Sequence, residues 1–243
     1  MGIVRMIFLL GLCLNLEAEP LKLVCWNIHH GVGEDGRLDL KRIAEVIRAE
    51  KPDLVALQEV DQGCGRSGKV KQAEELGRLL GMKAVFGKAM DFGGGEYGLA
   101  VLSALPVWSH QVHRLPGDGE PRIALEVRVK QSSREFSFVS VHLDHQDEKR
   151  RQSQAKHLHA ELADRPAVIL CGDFNDVPRS ETMKVFGNWQ TMPKREPALT
   201  APAGDPRFEI DHVLLRGFQS RGQLLVLEEK IASDHRPLAG SVE

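Results

Sequence analysis

Apolar positions along the chain follow two periods. "LKLVCWNI" (21–28) and "DLVALQEV" (53–60) read as strands, and between them "LDLKRIAEVIRAE" (38–50) sets Leu40, Ile43, Ala44 and Ile47 at helical spacing, ended by Pro52. "KVKQAEELGRLLG" (69–81) is a second helix stopped by Gly81. From 82 to 142 strands crowd together: "KAVFGKAM", "YGLAVLS", "VWSHQVHRL", "RIALEVRVK" and "EFSFVSVHL", with "DFGGGEYG" (91–98) read as a mobile loop. A long helix, "DEKRRQSQAKHLHAELA" (147–163), leads into the strand of "AVILCGDFND" (167–176). A short helix near "SETMKVFG" and strands at "FEIDHVLL", "QLLVLEE" and "PLAGSV" complete the chain. Strands outnumber helices, and some follow one another directly while others are separated by helices. That pattern predicts an α/β domain built on one mixed sheet or on two sheets packed face to face.

The polar positions are less ordinary. Several strands run apolar and then end in groups able to bind metal or phosphate: Trp26-Asn27, Gln58-Glu59, His142 with Asp144, and Asp173 with Asn175. Asp211 lies inside "FEIDHVLL", and Asp234-His235 precede the last strand. An unpaired charge at the end of a core strand costs several kcal/mol or shifts its pKa. Ligand sites in α/β proteins collect outside strand ends. Carboxylates there imply something that needs their oxygens.

Composition narrows the setting. The chain has 243 residues, 42% hydrophobic and 27% charged, enough for one sizeable core. A net charge of -2 and a single Tyr with three Trp offer neither a basic groove nor a stacking surface for nucleic acid. "MGIVRMIFLLGLCLNLEAEP" has one cation, an apolar run and then small and polar residues. That is the layout of a signal peptide over 1–18, leaving a domain over 19–243 in a secreted or periplasmic protein. Cys25 and Cys171 sit in apolar runs and are expected to be buried thiols.

"WNIHHG", "LQEV", "VHLDH", "GDFND", "IDHV" and "SDHRP", in that order over residues 26 to 237, resemble the endonuclease/exonuclease/phosphatase superfamily of metal-dependent phosphoesterases. The resemblance implies a four-layer α/β sandwich, two packed mixed sheets flanked by helices, with the site at one edge. It implies Glu59 as the main metal ligand, with Asn27 beside it and Asp234 on the metal side. Asp173 and Asn175 would position or deprotonate the attacking water and hold the phosphate. His235 would contact the scissile phosphate, oriented by Asp211, and His142 would stabilise the transition state or the leaving oxygen. Tyr97 and Arg66 are candidates for substrate contact, while Leu99 stands where relatives often carry an Asn. The implied cofactor is Mg²⁺, with Mn²⁺ as the alternative. The implied partner is a phosphate ester (lipid headgroup, small phosphodiester or nucleic acid) acted on by a monomer without a protein partner.

The chemistry agrees independently. Hydrolysing an anionic ester needs charge neutralisation, an aligned water and help for the leaving oxygen, and carboxylate and amide oxygens suit Mg²⁺ or Mn²⁺ better than zinc. "GCGRSGKV" (63–70) approaches a phosphate-cradling loop but has Val70 where a hydroxyl is required. "GDFND" fits one element of the di-metal phosphatases, yet the "GNH" element is absent. His29 and His30 can line the pocket or face solvent, and His157 and His159 lie in a solvated helix. The expected activity is hydrolysis of phosphodiester or phosphomonoester bonds. A nonspecific extracellular nuclease and a non-catalytic binding domain are the alternatives.

Overall fold

The computed structural model describes residues 20–243; the expected signal peptide at 1–18 lies outside the described residues. Two six-stranded mixed sheets form the molecule. The first contains β1 (Leu21–Asn27), β2 (Leu54–Gln62), β3 (Lys83–Phe92), β4 (Gly95–Ser103), β11 (Leu225–Val226) and β12 (Leu238–Val242), in the order β11-β12-β1-β2-β4-β3. The second contains β5 (Val107–Arg114), β6 (Ile123–Gln131), β7 (Arg134–His142), β8 (Val168–Asp173), β9 (Gln190–Thr191) and β10 (Asp211–Arg216), in the order β5-β6-β7-β8-β10-β9. Each sheet has one parallel pair, β1 with β2 and β7 with β8. The helices α1 (Leu40–Glu50) and α2 (Gln72–Leu80) cover the first sheet, and α3 (Glu148–Glu161) and α4 (Glu181–Lys184) cover the second. This is the expected four-layer sandwich.

Alternation builds the layers. Leu23, Cys25, Leu54, Ala56, Leu99 and Val101 point between the sheets, where they meet Leu125, Phe138, Ile169 and Cys171. Their neighbours Val24, Trp26, Val55 and Leu57 point outward onto Ile43, Ile47 and Leu76 of α1 and α2. Strands buried on both faces read as continuous apolar runs for this reason. Cys25, Cys64 and Cys171 are buried free thiols.

Three segments depart from the sequence pattern. Residues 91–98 are no mobile loop: β3 and β4 run on to a two-residue turn at Gly93 and Gly94, both at positive φ (54° and 77°), as a tight hairpin turn requires. Helix α2 starts three residues later than expected, because Lys71 bridges to Gln62 and Val70 accepts from the Gly63 amide. "QLLVLEE" contributes only Leu225–Val226 to a sheet edge.

Gly172 decides how closely β8 approaches β7. A Cβ there would lie 1.9 Å from the Val141 carbonyl oxygen. Gly172→Ala must therefore push the two strands apart at the residue before Asp173, and is expected to cost about 2–4 kcal/mol of unfolding free energy. Urea denaturation measures this, and a midpoint equal to that of the unsubstituted protein would contradict it.

Candidate active site

Strand register assembles the site before any side chain is considered. His142 at the end of β7 pairs with Asp173 on β8, and Asp173 pairs with Asp211 on β10, so the three lie in one row across adjacent strands. Two carboxylates directly opposite one another repel. His235 relieves this: its Nδ1 lies 2.9 Å from Asp211 Oδ2, and its Nε2 lies 3.7 Å from Asp173 Oδ2. The segment carrying His235 is fastened to the end of β1. The Trp26 indole donates to the His235 carbonyl at 2.8 Å, and the Ser233 hydroxyl donates to the Asn27 carbonyl at 2.7 Å. Arg236 is a brace, its Nε donating to the Ala203 carbonyl at 2.8 Å.

The first sheet supplies the facing wall. Between Leu57 and Val60 the pairing of β2 with β4 slips, and Glu59 takes φ 56°. Such a bulge re-aims a side chain that strict alternation would have sent elsewhere. Asn27 then joins the sheets: its amide nitrogen donates to Glu59 Oε1 at 3.1 Å and Asp173 Oδ2 at 3.2 Å, while its oxygen accepts from the His29 amide. Beside it, buried Gln58 donates to the Ser140 hydroxyl across the interface at 2.9 Å.

A cavity of about 320 Å³ opens onto this junction, with Glu59, Arg66, Tyr97, His142, Asp173, Asn175 and His235 in its wall. Asn27 and Asp211 stand one hydrogen bond behind. The backbone amide of Asn175 donates to Asp173 Oδ1 at 2.8 Å and its side-chain amide to the Leu143 carbonyl. Arg66 projects from the glycine-rich segment 63–70, which forms a short turn docked on the β3–β4 hairpin through Gly65 to Gly93. Its guanidinium forms two hydrogen bonds with Asp61, at 2.8 and 2.9 Å, and lies 4.4 Å over the Phe92 ring and 5.5 Å from that of Tyr97. Tyr97 is buried. Asp234 is not in the cavity wall; its carboxylate takes the Ser233 hydroxyl at 3.3 Å. Leu99 belongs to the inter-sheet core.

One group in the cavity wall carried no sequence signal. Arg122 is buried and donates to His142 Nδ1 at 2.8 Å and to His145 Nδ1 at 2.9 Å. A guanidinium has donors only, so both imidazoles accept at Nδ1 and carry their protons on Nε2. His142 is thereby a neutral Nε2–H group 3.5 Å from Asp173 Oδ2. No pattern in "PRIAL" marks Arg122, because the histidines it serves lie on the next strand and in the loop after it.

The electrostatics separate the two histidines. Burial pushes the His142 imidazole well below its ordinary value, and the Arg122 charge adds to this. Burial pushes His235 down too, but the carboxylates of Asp211 and Asp173 outweigh it and lift the imidazole to about 10. Burial raises the Asp173 carboxyl to about 7, opposed by the His235 cation and reinforced by Asp211. Asp211 feels the same burial, yet the His235 charge and hydrogen bond hold it below the usual range.

The oxygen donors gathered here fit a hard divalent cation: two carboxylates, Glu59 and Asp173, are held together by a single amide. In this geometry Asn27 is the clamp between them, with its own oxygen turned to His29.

Residues 24–235 match the sequence model of the Endonuclease/Exonuclease/phosphatase family. No curated protein matches by sequence at a significant level. Among solved structures, a functionally unknown conserved protein from Enterococcus faecalis V583 aligns with a TM-score of 0.77 at 22% identity, covering 92% of this chain and 99% of its own. The human Nocturnin catalytic domain with bound sulfate aligns at 0.70 and 22%, covering 92% and 94%. A mannosyl-6-phosphatase from Bacteroides thetaiotaomicron VPI-5482 aligns at 0.73 and 19%, covering 92% and 98%. At these identities the structures speak to the fold.

The contrast between the histidines is measurable by nitrogen-15 NMR titration. His235 is expected to keep both ring protons until the pH nears 10, and Asp211→Asn to bring its titration down by a unit or more. The folded imidazole binds its proton more tightly than the unfolded one, which titrates near about 6.5. The resulting stability is therefore complete below that pH and lost as pH climbs through about 10. His142 is expected to remain neutral with its proton on Nε2, and Arg122→Met to raise its pKa. Unchanged titrations in both variants would refute the assignment.

Proposed function

The chain belongs to the endonuclease/exonuclease/phosphatase family, and from that membership and the site we propose that it is a metal-dependent hydrolase of phosphodiester or phosphomonoester bonds. The observation that carries the reading is the row His142–Asp173–Asp211, bridged by His235 and facing Glu59 in one cavity. A divalent cation held by Glu59, with Asp173 and Asn27 beside it, would neutralise phosphate charge; the oxygen donors favour Mg²⁺, with Mn²⁺ as substitute.

The chain's own groups supply the rest. His235, cationic at neutral pH, offers its Nε2–H to a non-bridging phosphate oxygen, with Asp211 holding the ring. Asp173, with its affinity for a proton raised to near neutrality, takes a proton from the attacking water as that oxygen bonds to phosphorus. His142 Nε2–H donates a hydrogen bond to the leaving oxygen as its bond to phosphorus breaks. Asn175, Arg66 and Tyr97 border the same space.

The cavity volume, the acidic Glu120 in its wall and the net charge of -2 support a compact phosphate ester over a long polyanion such as DNA. The alternative of a non-catalytic binding domain would leave the proton-accepting and cationic positions without selection, yet Glu59, Asp173 and His235 are all present.

Hydrolysis of bis-p-nitrophenyl phosphate, with plasmid DNA in parallel, tests the reading. Turnover is expected to require Mg²⁺ or Mn²⁺ and to stop with a chelator. Asp173→Asn and His235→Ala are each expected to lower kcat by about 10²–10⁴. Metal-independent turnover, or both variants at the unsubstituted rate, would reject it. We further propose export directed by residues 1–18. Mature protein collected outside the cytoplasm should begin near Glu19, and an intact Met1 terminus there would refute this.

A further inference from the structure

We propose that His29, His30 and Glu59 form a binding site for a divalent first-row transition cation, adjoining the oxygen-lined position between Glu59 and Asp173 and sharing only Glu59 with it. One ligand atom from each of the three residues lies within 4.8 Å of the other two. Donor atoms that share one cation at about 2.0–2.2 Å sit about 3–3.5 Å apart, so rotation of the side chains suffices to close the set.

The surroundings prepare these rings for ligation. His29 Nδ1 lies 3.2 Å from the Val32 carbonyl, which can only accept, so the ring proton is on Nδ1 and the Nε2 lone pair is free. A backbone carbonyl that orients the far nitrogen is the usual partner of a metal-bound imidazole. His30 Nδ1 is buried and has no hydrogen-bond partner, and a buried polar atom left so costs free energy that ligation would recover. The backbone is held in place to present them. His29, His30 and Glu59 all take positive φ, at 44°, 44° and 56°. The His29 amide donates to Asn27 Oδ1, and the Gln72 side-chain amide donates to the His30 carbonyl at 2.6 Å. Gln72 is itself fixed by the Asp61 amide at 2.9 Å. Two adjacent imidazoles on a constrained backbone, one ring held at Nδ1 by a carbonyl, beside a carboxylate make a nitrogen-rich donor set. Imidazole favours Zn²⁺, Ni²⁺ or Fe²⁺ over Mg²⁺, Ca²⁺ and Mn²⁺. Glu59 has two oxygens, and Oε1 is the one engaged by Asn27.

The inference goes beyond the hydrolytic reading and is tested on free protein. Chelator-treated protein is titrated with Zn²⁺ by calorimetry in millimolar Mg²⁺, which fills an oxygen-lined position without competing for imidazoles. One equivalent of Zn²⁺ is expected to bind. His29→Asn and His30→Asn, chosen because Asn tolerates the left-handed backbone, are each expected to weaken binding tenfold or more. Their far-UV circular dichroism and Tm report whether they fold. X-ray absorption at the zinc edge needs no variant: two imidazole ligands are expected in the unsubstituted protein, and fewer in each variant. No Zn²⁺ binding, a zinc without imidazole ligands, or folded variants that bind like the parent would overturn the proposal. Absence of Zn²⁺ binding in the unsubstituted protein, beside intact Mg²⁺-dependent turnover, rejects this site alone. A two-imidazole zinc in a protein without turnover under any cation rejects the hydrolytic reading alone.

Discussion

Two carboxylates meet across β8 and β10, and the site is organised by the need to keep them there. Asp173 and Asp211 are cross-strand partners, each almost wholly buried. Their mutual repulsion, added to the cost of desolvating each, would expel one of them or leave both protonated. The His235 imidazolium between them removes the conflict, but only if it arrives from outside the second sheet. Hence the loop before β12 crosses to the row, tied to β1 by the Trp26 indole and the Ser233 hydroxyl. Charge compensation at one row of one sheet thus fixes how the two sheets meet at this edge.

The same junction explains why polar residues interrupt otherwise apolar strands. Asn27 spans from Glu59 to Asp173, and Gln58 reaches Ser140, so the seam between the sheets is hydrogen-bonded where it approaches the cavity and apolar below it. A buried amide must find partners or be destabilising. Here it finds them only when the sheets are in correct register. Gly172 permits the close approach of β7 and β8 that brings His142 and Asp173 level, and the β2 bulge turns Glu59 toward them. Each of these features is costly alone and sensible together.

Much of this was legible in the sequence, for physical reasons. Apolar periodicity marks strands buried on both faces, and polar residues at their ends stand out against it, so Asn27, Glu59, His142, Asp173, Asp211 and His235 could be singled out and are brought together. What escaped depends on contacts distant in sequence. Arg122 looks like an ordinary strand-start arginine until β7 is laid beside β6. The glycines of 91–98 suggest mobility, yet the same freedom of φ makes a two-residue turn. "QLLVLEE" is apolar enough for a strand, but only two of its residues find a sheet edge to pair with. Asp234 adjoins His235 in sequence, and its carboxylate takes the Ser233 hydroxyl outside the cavity wall while its charge still acts on His235.

The two histidines show how much of the chemistry is decided by neighbours. His142 and His235 are both buried, and their Nε2 atoms approach the same oxygen, Asp173 Oδ2. Burial alone would leave both neutral. Asp211 sits behind one ring and Arg122 behind the other. The carboxylate makes His235 a cation, and the guanidinium makes His142 a neutral donor whose proton faces the cavity. Were both cationic, Asp173 would be held well below the value of about 7 to which burial lifts it; were both neutral, the row of acids would lack its counter-charge. The asymmetry sets a cation and a neutral hydrogen-bond donor side by side at one carboxylate oxygen, two different tools built from the same side chain.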